Sequence, residues 1–573
     1  MASLTGTISA RRAGWRWPRL DAVVLGGSVL LLAYLTVVPL MFLVLGSVSP
    51  SGQVLQGGFT FAHYARVLTD KVGLGLLGTT IVFAAASALG SLVIGAAMAW
   101  VVERTDVPLR PLWYGVALVP LIVPGIVNAI AWIFLLSPTI GWLNLPLRAL
   151  FGTSLSIYSL PGMIWVEALH EAPLAFVLAG AAFRSMDPSL EEAAGMSGAS
   201  MWTTVRRVHL PLLLPVTSSV LLLLFVRTLQ GFDVPAIIGL PAQIYVYTSR
   251  IYLALASYPP EFGLSAAFAI VLLVIATAGV LVQRRLTRRA ESYATVSGKA
   301  YRPHRMELGP YRILAIALLA AYGLFAVVLP FLVLLWSSVL SYYSVPTVTA
   351  LRQLTLSNYL FVLHDDLTRA SLVNSVELGV GAATVVILLT SVIGWITVRG
   401  RSRARVVLDV MAFIPLTIPG IVLGVSLLWV YFTLPIPIYG TMWILLVAYT
   451  TNFLPYGIRT VTSSLVRLQA ELEEAAQVAG ATWLGTLRRV TLPLLRPSLL
   501  AGWIYVFIVS LRELGASILL YSTKSEVLAI RIFELQDAGE YTVIAALSVI
   551  LVVALVVLVA TLQALLGRAP AEA

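Results

Sequence analysis

The sequence predicts an all-α, polytopic membrane protein with about 12 transmembrane helices in two parallel six-helix repeats. First, 59% of the 573 residues are hydrophobic and only 11% are charged, less than half of the roughly 25% charge of a soluble domain. Second, apolar runs of the roughly 18 residues needed to cross a hydrocarbon core recur along the whole chain. Third, a polar segment occurs twice. EEAAGMSGASMWTTVRRVHLPLLLP, from Glu191 to Pro215, and EEAAQVAGATWLGTLRRVTLPLLRP, from Glu473 to Pro497, match at 15 of 25 positions.

In chain order, a tail at residues 1–20 precedes a first half at 21–283, with helices near 21–48, 74–102, 111–136, 159–184, 212–237 and 264–283. A basic segment at 284–311, broken by Gly298 and Pro303, reads as a linker. The second half, 312–566, has helices near 312–338, 371–398, 407–433, 441–465, 497–520 and 542–566, and a short tail closes the chain at 567–573.

The net charge of +11 follows from topology. Arginines gather in every second loop: Arg11, Arg12, Arg16 and Arg19; Arg104 and Arg110; Arg184, Arg206 and Arg207; Arg284, Arg285, Arg288 and Arg289; Arg399, Arg401, Arg403 and Arg405; Arg488 and Arg489. Such alternation places these loops and both termini in the cytoplasm, and it removes the reason to expect nucleic acid as a partner. No cleaved signal peptide is expected, since the first apolar stretch is long and lacks a small-x-small site. There is no cysteine, which excludes thiolate metal sites, catalytic thiols and disulfides.

Glu473 follows Glu191 by 282 positions, while PLIVPGIV from Pro120 and PLTIPGIV from Pro415 are 295 apart, as are Trp100 and Arg104 from Trp395 and Arg399. A longer external loop in the first half absorbs the difference. The chain is a tandem duplication with six helices per half, so both halves insert with the same orientation around a pseudo-twofold axis along the membrane normal. The prolines and glycines of the repeated PG pairs, Pro124, Gly125, Pro419 and Gly420, are expected to kink the third helix of each half.

Each copy of the polar segment falls between the fourth and fifth helices of its half, and its residues specify two short helices with a turn between them. Asp187 caps a helix that Pro188 opens. Gly198 and Gly480 end the first helix in the left-handed conformation, and Ser200 and Thr482 cap a second that stops before Pro211 and Pro493. Glu-Ala-Ala followed by glycine and a later Leu-Pro resembles the EAA loop of binding-protein-dependent ABC importer permeases. Six helices per half with the loop before the fifth is similar to the type I importer transmembrane domain. The resemblance covers essentially the whole chain and implies that Glu191, Glu192, Ala193, Ala194 and Gly198, with Glu473, Glu474, Ala475, Ala476 and Gly480, couple to ATPases. It also implies a place in a bacterial inner membrane, two copies of an ABC ATPase subunit that bind ATP and Mg, one external periplasmic binding protein, and no cofactor in this chain. Since both loops lie on one polypeptide, no homodimer is expected. Gly298-Lys299 has Tyr293 where a Walker A loop needs glycine, so the chain is expected not to be an enzyme.

Glu167, His170 and Glu171 share one face of the fourth helix, roughly 12 to 18 Å from its external end. Two readings stand: a transient oxygen and imidazole site for a cation, or a helix–helix hydrogen-bond cluster. The second half has Tyr449 and Asn452 at the equivalent positions. Where the fifth helices near the external side, Arg227, Gln230 and Asp233 face Arg512 and Glu513, as a gate or as structural ion pairs. The stretches SLRELGASILLYS from Ser510 and EVLAIRIFEL from Glu526 resemble the iron(III) permease branch, and hard oxygen ligands suit ferric ion. Branches for polyamine, thiamine, phosphonate and phosphorylated sugar share the frame. From another class, a major facilitator-like transporter also has twelve helices in two halves, but the loop VERTDVPLRP lacks the glycine of that signature; a membrane scaffold would not need matched loops.

Overall fold

The computed structural model describes residues 20–50, 58–187, 189–198, 200–292, 306–400 and 404–566. The tails expected at 1–20 and 567–573 lie outside them except for Leu20, as do Tyr293, Gly298, Lys299, Pro303, Arg401 and Arg403. The described residues are helices and their connections, with only two isolated bridges in place of a sheet.

Nine helices among them are long and apolar enough to cross a membrane, and eleven if each of two bent pairs is one span. We label the long helices α1 (Val23–Ser47), α2 (Lys71–Arg104), α3 (Arg110–Leu121 with Gly125–Leu136), α4 (Leu160–Ser185), α5 (Trp202–Gln230) and α6 (Phe262–Ser292) in the first half. In the second are α7 (Gly309–Ser338), α8 (Asp366–Arg399), α9 (Arg405–Thr417 with Gly420–Thr433), α10 (Met442–Arg467), α11 (Leu487–Ser510) and α12 (Tyr541–Leu566). The one not among the eleven is α10, whose 26 residues include Asn452, Arg459 and several threonines. α6 continues to Ser292, past the expected linker boundary.

Helix starts repeat between the halves because the caps repeat. Asp70 and Asp365 accept amides at the starts of α2 and α8, and Ser159 and Thr441 do so for α4 and α10. The third helices do more than kink: α3 turns by 99° and α9 by 110° at the PG pairs. Pro124 and Pro419 take extended ψ values of 142° and 144°, and a proline also drives the residue before it out of the helical region. The break is therefore complete, and a new helix starts at Gly125 and at Gly420.

The expectation that Pro211 and Pro493 stop the loop's second helix is corrected. A π turn at Val205–His209 within α5, and another at Leu487–Thr491 that opens α11, join the loop's second helix to the long helix without a stop. The wider turn makes room for the proline ring and leaves no amide bond for it to break. The fifth helices end earlier than expected, at Gln230 and Ser510, where Gly231-Phe-Asp-Val-Pro235 and Glu513-Leu-Gly515 interrupt the helical pattern.

α2 packs along α4, and α8 along α10. At Gly95 a Cβ would lie 2.5 Å from the Ala172 carbonyl oxygen, so this glycine sets the close approach of α2 to α4. The halves exchange their first helices: α1 packs on the second leg of α9, and α7 on the second leg of α3. The Tyr34 and Tyr431 hydroxyls bond at 2.6 Å across the first of these contacts.

Candidate functional site

Both polar segments fold as the sequence predicts at their turns. The Asp187 carboxylate accepts the Ser189 amide at 2.9 Å, and Ser200 and Thr482 accept amides of the second short helix at 3.3 and 3.2 Å. Gly198 has φ +77° and Gly480 +87°, with nothing within 4 Å of a Cβ at either. Ala193 and Ala475 are exposed, and Ala194 and Ala476 partly so. Glu191 and Glu192 lie in the helix Ser189–Met196, their side chains outside the described residues.

The second segment separates its adjacent acids. Glu474 is exposed, whereas Glu473 is buried, paired with Arg399 at 3.2 Å and accepting from the Thr491 hydroxyl at 3.0 Å. Arg399 also donates to the carbonyls of Leu465, at 3.3 Å, and Leu468, at 2.7 Å, where α10 ends. Arg104 does the same in the first half, to Phe183 at 3.3 Å and Met186 at 3.5 Å. These arginines, read from sequence as loop charges, instead tie the end of the second helix of each half to the entry of its polar segment. The 295-residue spacing of Arg104 and Arg399 was the signal that could have found them.

A second polar cluster lies at the seam between the halves. Arg227 forms a two-pronged pair with Glu171, both contacts at 3.0 Å. Glu171 stands near the middle of α4, so the cluster lies deeper than the external end expected for Arg227. Arg512 donates to the Leu121 carbonyl and approaches His170 Nε2 at 3.3 Å. In reciprocal fashion Gln230 donates to the Leu416 carbonyl at 3.3 Å. Gln230 and Arg512 are 282 positions apart, and Leu121 and Leu416 are 295 apart, the two offsets of the repeat. Each fifth helix therefore reaches across the pseudo-dyad to the carbonyl just before the break in the other half's third helix.

The remaining acids sit at those breaks. A Cβ on Gly125 would lie 2.3 Å from Asp233 Oδ2, and one on Gly420 2.8 Å from Glu513 Oε1. Glu513 accepts the Ala516 amide at 2.7 Å and Asn452 at 3.4 Å. Each carboxylate is thus beside the start of a half-helix, where negative charge is favoured. Neither Arg227 nor Arg512 forms an ion pair with the acid nearest it in sequence. Glu167 is buried without an ion pair among the described residues. Glu167, His170 and Glu171 share a face, but Arg227 meets Glu171 and Arg512 meets His170, and no group of three His, Asp or Glu among the described residues is arranged to hold a metal ion.

Duplicated loops at one end of the helices and a polar seam along their dyad define a two-fold membrane transport subunit. A family model described as "Binding-protein-dependent transport system inner membrane component" matches residues 91–292 and 386–570. The chain belongs to that family and is an ABC importer permease with both halves on one polypeptide. It is similar to the "Ferric transport system permease protein FbpB" of Actinobacillus pleuropneumoniae, 25% identical over 572 residues, 98% of this chain and 80% of that protein. A "Putative ferric transport system permease protein FbpB 1" of Haemophilus influenzae is 26% identical over 82% of this chain and 74% of its own length. Another similar protein of Haemophilus influenzae, "Spermidine/putrescine transport system permease protein PotC", is 33% identical over 34% of this chain and 76% of its own length. A solved bacterial alginate ABC transporter in complex with an alginate pentasaccharide-bound periplasmic protein aligns with a TM-score of 0.39 at 20% identity, covering 47% of this chain and 94% of that one.

Proposed function

We propose that this permease carries iron(III), handed to it by an external binding protein, through the seam between its halves, driven by two separate ATPase subunits docked on the two polar loops. The observation that carries the choice of substrate is that similarity to ferric permeases runs over 98% of the chain. The chemistry agrees: Glu167, Asp233 and Glu513 offer hard oxygen donors along the seam, which suit ferric ion. In this mechanism ATPase closure moves the helices bearing Gly198 and Gly480. Arg104 and Arg399 pass that movement to the ends of α4 and α10, and the reciprocal Gln230 and Arg512 contacts open. The test is uptake of radiolabelled ferric ion by proteoliposomes holding the permease, its ATPases and its binding protein. ATP-dependent ferric uptake supports the assignment; uptake of another solute with ferric ion excluded overturns it.

A polyamine is the second reading, favoured by the 33% identity to PotC over 34% of the chain. The same vesicles with labelled spermidine decide between the two cations.

A further inference from the structure

The two halves differ at the end of the helices away from the polar loops. In the first half, Arg66 pairs with Glu261 at 2.8 Å. Glu261 is anchored by its amide on the Ala254 carbonyl, at 2.8 Å, just before α6. Its counterpart is Glu540, whose amide bonds the Leu535 carbonyl at 2.9 Å just before α12. The helix Ala62–Leu68 corresponds to Ser357–His364. The Tyr64 hydroxyl meets Ser47 at 2.6 Å in the one, and Tyr359 meets Ser338 at 2.7 Å in the other. In that register Phe361 occupies the place of Arg66. Glu540 is exposed and has no ion pair among the described residues.

In place of the missing salt bridge there is a cavity of about 580 Å³, lined by Asn358, Phe361, Arg531, Glu534, Glu540 and others. Its one arginine is already engaged. Arg531 pairs with Asp365 at 3.0 Å and approaches Glu534 only at 3.9 Å, so this guanidinium already serves two carboxylates and Glu540 has no cation of its own.

We infer that this cavity is the seat of a lysine or arginine side chain of the external binding protein, which supplies in trans the cation that Arg66 supplies in cis. Position supports this occupant. The cavity lies beside the start of α8, a helix of 34 residues, roughly 50 Å long at 1.5 Å per residue. The far end of α8 carries Arg399, bound to the polar loop. The cavity is therefore on the face opposite the one offered to ATPases. Chemistry supports it as well. A long basic side chain lays its methylenes on Phe361 and brings its charge to Glu540. The inference rests on the binding-protein reading of the previous subsection.

The experiment uses the complete permease–ATPase complex in nanodiscs and measures its ATP hydrolysis as the binding protein is titrated. Glu540→Gln removes the charge, and Phe361→Arg recreates the in-cis pair and fills the cavity. Both are expected to raise the binding-protein concentration for half-maximal stimulation roughly tenfold, and wild-type docking should weaken with salt. Co-purification with the ATPase subunits checks that each variant is folded. Unchanged titrations for both folded variants overturn the inference. Absence of stimulation in wild type overturns the binding-protein reading and this inference with it.

Discussion

Arg399 holds Glu473 at 3.2 Å, while the neighbouring Glu474 stands in solvent. Two adjacent acids of one motif thus carry separate duties: one fastens the loop to the membrane helices, and the other faces outward.

This division predicts different phenotypes. Glu473→Ala leaves Arg399 beside an apolar gap and should destabilise the permease by about 1–3 kcal/mol, seen as a lower melting temperature. Glu474→Ala should leave melting unchanged and weaken ATPase association, measured by co-purification. Equal melting of the two variants contradicts the division.

Gly198 and Gly480 test the turn itself. Both have positive φ and open space around them, so alanine meets no neighbour within the chain and bears only the left-handed penalty of about 1–2 kcal/mol. Asparagine, which visits that region more readily, should retain more uptake than alanine, and leucine should retain least because its side chain would project into the proposed ATPase contact. The double leucine variant should be the most impaired, since in the proposed mechanism each loop serves one ATPase. Full uptake by that variant would remove the coupling role from these loops.

At the seam, Glu171→Gln should be far more harmful than Glu167→Gln. The first change strips Arg227, whose side chain is 39% exposed, of a two-pronged charged partner, a loss of about 1–3 kcal/mol. Glu167 has no ion pair to lose, so its variant should assemble normally and report through transport alone. Thermal melting combined with uptake separates the cases, and normal melting of Glu171→Gln would refute the structural role of the pair.

Glu526 precedes the helix Leu528–Asp537, outside the spans, and burial together with Glu534 pushes its carboxyl up to about 7. An acid whose folded value is raised favours the folded state most below its unfolded value near 4.5, and that contribution is lost as pH rises through about 7. Glu526→Gln should therefore match wild type near pH 4 and melt higher than wild type near pH 8. Identical pH profiles would show that the group does not control stability here.

One polypeptide should serve two ATPases. Native mass measurement of the assembled complex should find a single copy of this chain, and two copies would contradict the fused arrangement.

Much of this was legible in the sequence because it depends on local rules. The PG pairs, the glycines at 198 and 480 and the caps at Ser200 and Thr482 act through their own backbone or a neighbour a few residues away. The pairing of Arg227 was not legible, since its partner Glu171 is 56 residues upstream and Asp233 was the nearer acid. The reach of Arg512 to Leu121 spans 391 positions and depends on how two halves cross. The π turns escaped because proline signals a stop by sequence, while a widened turn ahead of it lets the helix continue.

The unlike pair Gln230 and Arg512 has a consequence for how such a molecule can change over generations. In a permease built from two copies of one gene product, every substitution falls on both sides of the dyad, so an arginine that suits one side must be tolerated opposite itself. With both sides written into one reading frame, each can drift alone. A neutral amide can persist on one side while the other acquires charge, and the cargo path can become lopsided without any loss of the matched loops that need to stay alike.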